Sequence, residues 1–266
     1  MILTAPRLLA VGTHHKTGTL WMRAVFRQLG RAIGVPAHVV YPTTRPAKVA
    51  PGGERAILMS WSSRFPDWLH QRPDARILHL VRDPRDVLLS GARYHLDAAP
   101  EGEQFLHEPR ADLGGRTYQQ HLNTLPTPEQ RLLFEMREKH AETLAEMLAW
   151  DAAAPNTVEA RYEDLMADEE GTRFREILRD LGLPEPEVET GLEIFWARSL
   201  FGGLKDPAAR IRRIREHVAS GRVARWRTEL PRAVAEAYAE AHGEALVTLG
   251  YEDHPTAWLG ELRHAA

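Results

Sequence analysis

Short apolar runs alternate with segments of helical hydrophobic period along most of this 266-residue chain. Four runs have the length and residue types of buried β-strands: residues 7–13 (RLLAVGT), 56–60 (AILMS), 76–81 (RILHLV) and 157–162 (TVEARY). Strands that alternate with helices usually pair in parallel, and helices then cover both faces of the sheet. We therefore predict an α/β fold of three layers, α/β/α, around a central and mostly parallel sheet, in a single domain of residues 1–266.

Capping residues and apolar stripes locate the helices between these strands. Asp83 and Pro84 are a typical N-cap and first helical residue, and Thr127 with Gln130 forms a predicted capping box. Residues 97–123 contain few apolar side chains and several Gly and Pro, which predicts a lid, a binding loop or a mobile segment. We predict helices for residues 20–30, 84–95, 128–147, 174–181 and 231–250.

The composition is that of an ordinary globular protein, with 43% hydrophobic and 27% charged residues, a formal net charge of -3 and no cysteine. The lack of cysteine suits a reducing cytoplasm, and the first residues lack the pattern of a signal peptide. No run is long enough to span a membrane, and the near-neutral charge does not favour nucleic acid as a partner. We expect a cytoplasmic protein without a transmembrane segment, and a homodimer is compatible with the sequence.

The loop between the first strand and the first helix, THHKTGTLW, has the features of an anion site. Backbone N–H groups at a helix N-terminus point toward an anion, and the helix dipole favours negative charge there. Lys16 adds a full positive charge, and Gly18 allows close approach of the backbone. Thr17 and Thr19 add hydroxyl donors, and Trp21 adds a flat apolar surface. The alternative is an ordinary strand-to-helix turn with a threonine cap.

A second anion site is predicted in ILHLVRDPRDVLLSG. Arg82 ends a predicted strand, and the carboxyl ends of strands in open α/β sheets face the ligand crevice. Ser90 follows about two helical turns later, and a guanidinium with a hydroxyl suits a phosphate. The alternative is a charged helix cap in which Arg82 pairs with Asp83 or Asp86.

Together, KTGTLW and RDPRDVLLS resemble the sulfotransferases that use 3′-phosphoadenosine 5′-phosphosulfate (PAPS). In that family the first loop, commonly PKSGTTW, holds the 5′-phosphosulfate, and a later Arg with a Ser eight residues after it holds the 3′-phosphate. VEARYEDL and HVASGRVARW are similar to the family's strand ending in YEDL and to its late RKGxxGDW loop. The resemblance covers the chain from about residue 7 to residue 251 and implies a P-loop NTPase-like fold.

The resemblance implies that PAPS is the sulfuryl donor and that no metal is needed. It places the phosphosulfate on the first loop, the 3′-phosphate on the later Arg and Ser, and the adenine near the tyrosine of YEDL. Leu20 replaces a threonine of the family, so that its backbone N–H is the useful group. The implied nucleotide-binding residues are Lys16, Thr17, Gly18, Thr19, Leu20, Trp21, Arg82, Ser90, Tyr162, Gly221 and Arg222.

The resemblance further implies in-line attack of an acceptor hydroxyl or amine on sulfur, with Lys16 as the catalytic cation at the leaving phosphate. Many relatives carry a KTH-like segment whose histidine is the general base, but the corresponding residues 60–62 read SWS. His95 and Glu135 are the candidate bases. The alternatives are a locally bonded histidine and an exposed helix carboxylate paired with Lys139.

Other interpretations remain open at the level of sequence. His14 and His15 either contact the sulfate or only end the strand. The arginines of residues 210–227 either enclose the nucleotide or form a solvated helix face. The alternatives to a sulfotransferase are a P-loop nucleotide-dependent kinase, which the order of Lys and Gly disfavours, and a non-catalytic nucleotide-binding protein. The sequence predicts a small or medium-sized acceptor without identifying it.

Overall fold

The structure of the chain is a computed structural model that describes residues 6–100, 103–168, 170–199 and 223–263. The chain divides into two compact units, and each has its own hydrophobic core. The first unit comprises residues 1–82 and 149–223, and the second comprises residues 83–148 and 224–266. That the chain is a single domain stays a prediction.

The described part of the first unit contains a five-stranded sheet in which every neighbouring pair of strands is parallel. This confirms the predicted α/β class with a central parallel sheet. The short second strand was not predicted, because its three half-buried residues form no long apolar run. The strands lie in the order β2-β3-β1-β4-β5 and are β1 (Leu8–Gly12), β2 (Ala37–Val39), β3 (Ala56–Ser60), β4 (Ala75–Val81) and β5 (Thr157–Arg161).

β1 lies in the middle of this sheet and is buried along its whole length. Its side chains Leu9 and Val11 belong to the core on one face, and Leu8 and Ala10 belong to the core on the other. A strand that is covered on both faces needs apolar residues at every position. This explains why the run LLAVG is continuously apolar instead of alternating.

Helices pack on the sheet of the first unit through an aromatic series in its core. Phe174 lies edge-on to Phe26, with ring centroids 6.2 Å apart, and stacks on Phe195 at 4.1 Å. These three residues lie on three different helices, so the series connects them above the sheet. With numbering along the whole chain, the helices of this unit are α1 (Thr19–Ala32), α2 (Asp67–His70), α7 (Tyr162–Ala167), α8 (Thr172–Asp180) and α9 (Glu185–Arg198).

Gly30 does not end the first helix, and that part of the prediction is wrong. α1 continues to Ala32, and Gly30 is buried inside it. A Cβ atom at Gly30 would lie 2.6 Å from the carbonyl oxygen of Val35, whose own N–H donates to the Gly30 carbonyl at 2.8 Å. The glycine is therefore required by the close approach of the chain that leads into β2.

Replacing Gly30 with alanine should lower the free energy of unfolding by about 1–3 kcal/mol, because the added methyl group must displace main chain. The higher helix propensity of alanine recovers only about 1 kcal/mol of a larger steric cost. Equilibrium urea unfolding measures the change. Gly260→Ala is the control, since nothing lies within 4 Å of a Cβ atom there. A Gly30→Ala variant as stable as the wild type would contradict this account.

The second unit is helical in its described residues. Asp83 caps its first helix, since a carboxylate oxygen accepts from the N–H of Arg85 at 3.0 Å, and Pro84 is the first helical residue, as predicted. Trp226, Tyr238 and Trp258 are buried in its core. Its helices are α3 (Pro84–Tyr94), α4 (Tyr118–Thr124), α5 (Pro128–Arg137), α6 (Lys139–Leu148), α10 (Trp226–Glu229) and α11 (Arg232–Thr248).

Two segments of this unit differ from their predictions. Residues 97–123 contain most of α4, which opens with a complete capping box between Thr117 and Gln120 and contributes buried Tyr118 and Leu122. The single helix predicted from residue 128 is two helices, because Glu138 leaves helical geometry at φ -104 and ψ -110. Sequence periodicity continues across this break, which is why it was missed.

No helix in the described ranges has the length and apolarity that a membrane span requires.

Candidate functional site

The loop after β1 is built around one carbonyl group. The carbonyl oxygen of His14 accepts from the N–H and the hydroxyl of Thr17, at 3.1 and 3.0 Å, and from the hydroxyl of Thr19 at 2.9 Å. The two hydroxyl groups predicted as anion donors therefore donate inside the loop in this structure. These hydrogen bonds shape the turn, and the assignment of Thr17 and Thr19 to the nucleotide stays a prediction.

The N-terminus of α1 presents main-chain donors with no side-chain cap. The first hydrogen bond within the helix runs from Met22 N–H to the Gly18 carbonyl at 3.0 Å, so the N–H groups of Thr19, Leu20 and Trp21 precede the helical ladder. Gly18 has φ +101, and its backbone lies so close to Tyr162 that a Cβ atom would be 3.1 Å from the ring. This arrangement has the donor chemistry of an anion site.

Lys16 lies at the tip of this loop in a left-handed conformation, with φ +63. Such a conformation is uncommon for a residue with a side chain and costs about 1 kcal/mol or more. Its carbonyl oxygen accepts a hydrogen bond from Nη1 of Arg82 at 3.1 Å. The loop is therefore connected to the carboxyl end of β4.

Arg82 is buried, with 3% of its surface exposed. Its guanidinium carbon lies 4.4 Å from the centroid of the Tyr162 ring, a cation–π contact. Tyr162 begins α7 directly after β5, and it too is buried. Residues that follow β1, β4 and β5 thus meet at the carboxyl edge of the parallel sheet, where open α/β sheets bind ligands.

Trp21 lies against the core of the first unit. Its ring stacks on Phe195 at 5.0 Å and contacts the edge of Tyr162 at 6.2 Å. Leu20, in contrast, is 77% exposed beside it. The apolar surface predicted for Trp21 is therefore used largely inside the protein.

The second unit brings together the two candidate bases. His95 follows α3 and Glu135 lies on α5, and Nδ1 of His95 is 2.8 Å from Oε2 of Glu135. Glu135 is 1% exposed and Lys139 pairs with Glu142, so the interpretation of Glu135 as an exposed partner of Lys139 is wrong. Ser90 is mostly buried on the same helix α3.

Tyr118 is a third member of this cluster that the sequence did not indicate. Its hydroxyl group donates to the same Oε2 atom of Glu135 at 2.7 Å. Burial, and then the neighbouring Glu135 carboxylate, raise the pKa of Tyr118. Because a carboxylate oxygen only accepts, the hydrogen bond to Oε2 places an N–H group on Nδ1 of His95. The sequence does contain one signal for the helix that carries Tyr118, namely the capping box that begins α4 one residue before it.

Two predicted nucleotide-binding residues, Gly221 and Arg222, lie outside the described residues. Among the residues that are described, no group of three or more His, Asp or Glu side chains could hold a metal ion.

Comparisons with known proteins agree on one fold. The family model described as Sulfotransferase domain matches residues 65–250. The chain is similar to mouse sulfotransferase SULT7A1 complexed with PAP, with a TM-score of 0.56 and 15% identity over 95% of this chain and 91% of that chain. It is also similar to retinol dehydratase in a complex with retinol and PAP, with a TM-score of 0.52 and 13% identity over 92% of this chain and 82% of that chain.

At these identities the two structures establish the fold, which is the predicted P-loop NTPase-like arrangement. No curated protein sequence matches the chain significantly. The family match does not favour the nucleotide-dependent kinase.

Proposed function

This chain belongs to the sulfotransferase domain family, and from that membership we propose that it transfers a sulfuryl group from PAPS to a small or medium-sized acceptor. The acceptor provides a hydroxyl or an amine. The observation that carries the proposal is the hydrogen bond from Arg82 to the carbonyl of Lys16, because it joins the two stretches assigned to one nucleotide. The predicted sulfotransferase identity is confirmed by the family match.

The loop after β1 suits the phosphosulfate end of the donor. The uncapped N–H groups at the start of α1 and the cation of Lys16 provide fixed positive charge, and the absence of a side chain at Gly18 lets its backbone pack against the Tyr162 ring. PAPS supplies an activated sulfuryl group: a bond from the acceptor oxygen or nitrogen to sulfur forms as the bond from sulfur to the 5′-phosphate oxygen breaks. Lys16 stabilises the negative charge on that oxygen.

The 3′-phosphate is assigned to Arg82 and Ser90, as the family resemblance implies. Burial of Arg82 and its contact with Tyr162 support this assignment, since a guanidinium held by an aromatic ring is preorganised for an anion. Tyr162 then supports Arg82 in addition to its expected place near the adenine. Gly221 and Arg222 complete the nucleotide contacts that the resemblance implies.

His95 is proposed as the general base, with Glu135 as the residue that orients it. Nδ1–H donates to Glu135, so Nε2 holds the lone pair that accepts the acceptor's proton. Both side chains are fully buried, so the proposal requires the acceptor group to reach Nε2. His95→Gln should reduce kcat by about 10²–10⁴-fold and should leave the affinity for adenosine 3′,5′-bisphosphate (PAP) unchanged.

The Tyr118→Phe variant separates this role from a structural one. It removes one hydrogen bond from Glu135 and should cost about 1–3 kcal/mol of stability while kcat changes only a few-fold. If His95→Gln folds and retains wild-type kcat over the whole pH range, the base lies elsewhere.

The activity itself is tested by transfer of ³⁵S from labelled PAPS to a panel of phenols, alcohols, amines and sugars in the presence of EDTA. Labelled product and stoichiometric PAP without added metal are expected. PAP binding without transfer to any acceptor would instead favour a non-catalytic nucleotide-binding protein. A strict requirement for Mg²⁺ and ATP would favour a kinase. We further propose that the protein is cytoplasmic, because a chain without cysteine suits a reducing compartment.

A further inference from the structure

Two histidines and a glutamate form a continuous hydrogen-bonded series in the first unit. The Nε2 atoms of His14 and His79 are 2.9 Å apart, and Nδ1 of His79 is 3.0 Å from Oε2 of Glu159. Both imidazole rings are fully buried, whereas the side chain of Glu159 is 35% exposed. None of the roles assigned above uses this series.

The sheet register brings the members together. His79 on β4 lies directly opposite Glu159 on β5, and on its other side it is in register with Gly12 of β1, two residues before His14. The Trp150 ring stacks on His79 with centroids 4.3 Å apart and an angle of 16°. Two hydrogen bonds therefore orient the imidazole of His79, and the Trp150 ring packs against its face.

Hydrogen-bond chemistry defines the tautomers of the two rings. Burial lowers the pKa of His79 to about 4, although the hydrogen bond to Glu159 acts in the opposite direction, so the ring is neutral at pH 7. A neutral imidazole has one N–H group, and at His79 it is Nδ1–H, which donates to the carboxylate of Glu159. Nε2 of His79 is then an acceptor, and His14 donates its Nε2–H.

His14 connects the series to the anion loop. Its carbonyl oxygen accepts the three hydrogen bonds that shape the loop, and Lys16 follows two residues later. Arg82, at the end of β4, donates to the Lys16 carbonyl. β4 therefore holds the loop at two points, once through His79 and once through Arg82.

We propose that His79 and Glu159 are positioning residues, which hold the loop of residues 13–18 in the conformation that sulfuryl transfer requires. Glu159 sets the tautomer of His79, His79 orients His14, and His14 fixes the turn. The inference rests on the proposed function, because that function assigns the loop to the phosphosulfate. According to this inference, a carboxylate on β5, the edge strand of the described sheet, affects sulfuryl transfer at the loop that follows the central strand β1.

The kinetic test compares Glu159→Gln and His79→Phe with Trp150→Phe. Trp150→Phe is the matched control. It keeps an aromatic ring packed on His79, and residue 150 forms none of the hydrogen bonds in the series. We expect kcat to fall about fivefold in Glu159→Gln and about tenfold or more in His79→Phe, with the Kd for PAP within about twofold of wild type, because misplacement of reacting groups affects turnover most. Trp150→Phe should retain wild-type kcat.

Two NMR measurements do not depend on activity. Long-range ¹H–¹⁵N spectra of the imidazole rings should show His79 protonated at Nδ1 and His14 protonated at Nε2. The amide signal of Gly18 should shift in Glu159→Gln and stay in place in Trp150→Phe. If the wild type transfers no sulfuryl group, the proposed function fails, while these spectra still decide whether the series positions the loop.

The opposite tautomers in the wild type would overturn the inference. So would an unmoved Gly18 signal in Glu159→Gln. Wild-type kcat in Glu159→Gln would equally overturn it, and this variant decides alone if His79→Phe does not fold, because the side chain of Glu159 is partly exposed.

Discussion

The Lys16→Ala variant should turn over about 10²–10³-fold more slowly than the wild type, because it lacks the cation that we propose for the leaving oxygen. The affinity for PAP should change much less, by about tenfold or below, since the main-chain donors of α1, which we propose as phosphate contacts, are unchanged. Single-turnover transfer of ³⁵S measures the first quantity, and calorimetric titration with PAP measures the second. The difference between the two separates stabilisation of the transition state from simple binding.

Lys48→Ala is the matched control for this variant. Lys48 is also in the first unit but is exposed on the surface, so its removal should leave both quantities unchanged. Alanine at position 16 must also adopt a left-handed backbone, and a Lys16→Gly variant shows whether that conformation contributes. If both variants lose turnover and PAP affinity in equal measure, Lys16 serves binding alone.

The Arg82→Ala variant should bind PAP about 10²–10³-fold more weakly, because it loses a buried, preorganised guanidinium. The side chain also donates to the Lys16 carbonyl and lies over Tyr162, so the loop after β1 and the start of α7 both lose a contact. We therefore expect a lower kcat in addition, together with a loss of stability of about 2–4 kcal/mol. PAP titration measures the affinity, steady-state transfer of ³⁵S measures kcat, and urea unfolding measures the stability.

Arg76→Ala is the control, since Arg76 lies on the same strand and donates to the carbonyl groups of Pro73 and Ala75. It should leave PAP binding unchanged. Arg82→Lys keeps the charge but has no planar fork, and it should recover only part of the affinity. Wild-type PAP affinity in Arg82→Ala would contradict the assignment of this residue to the nucleotide.

The sequence was sufficient for features that depend on local chemistry. A run such as LLAVG is buried on both faces wherever it folds, and Asp83 with Pro84 caps a helix without help from the rest of the chain. Strong local signals of this type predicted β1, β3, β4, β5 and the start of α3. The family resemblance rested on KTGTLW and RDPRDVLLS, with VEARYEDL and HVASGRVARW, and the family match confirms the sulfotransferase family.

Features that depend on distant partners were not predictable in the same way. Glu135 has Lys139 one helical turn away, which favours an exposed ion pair, yet His95 and Tyr118 surround it because other helices pack there. Gly30 has the appearance of a helix end, but its role depends on the carbonyl of Val35. Such contacts are consequences of tertiary packing, and no short window of sequence contains them.

The same limit applies to the loop after β1. Sequence chemistry identified hydroxyl groups in an anion-binding turn, but it could not show that Thr17 and Thr19 donate to the carbonyl of His14. Nor could it show that His79, a polar residue within an apolar strand, forms a hydrogen bond with the side chain of His14. Strand register, which pairs residues far apart in the chain, decides the contact between the two histidines.

The central place of β1 affects how the protein is made. β1 is synthesised before the other four strands of the sheet. Both of its partners, β3 and β4, follow helix α1 in the chain. Parallel pairing between such distant segments forms slowly, and apolar strands that wait for a partner are prone to aggregate. A nascent chain that ends before β4 therefore exposes the apolar strand β1 without one of its two partners. We expect nascent chains of that length to bind chaperones most strongly.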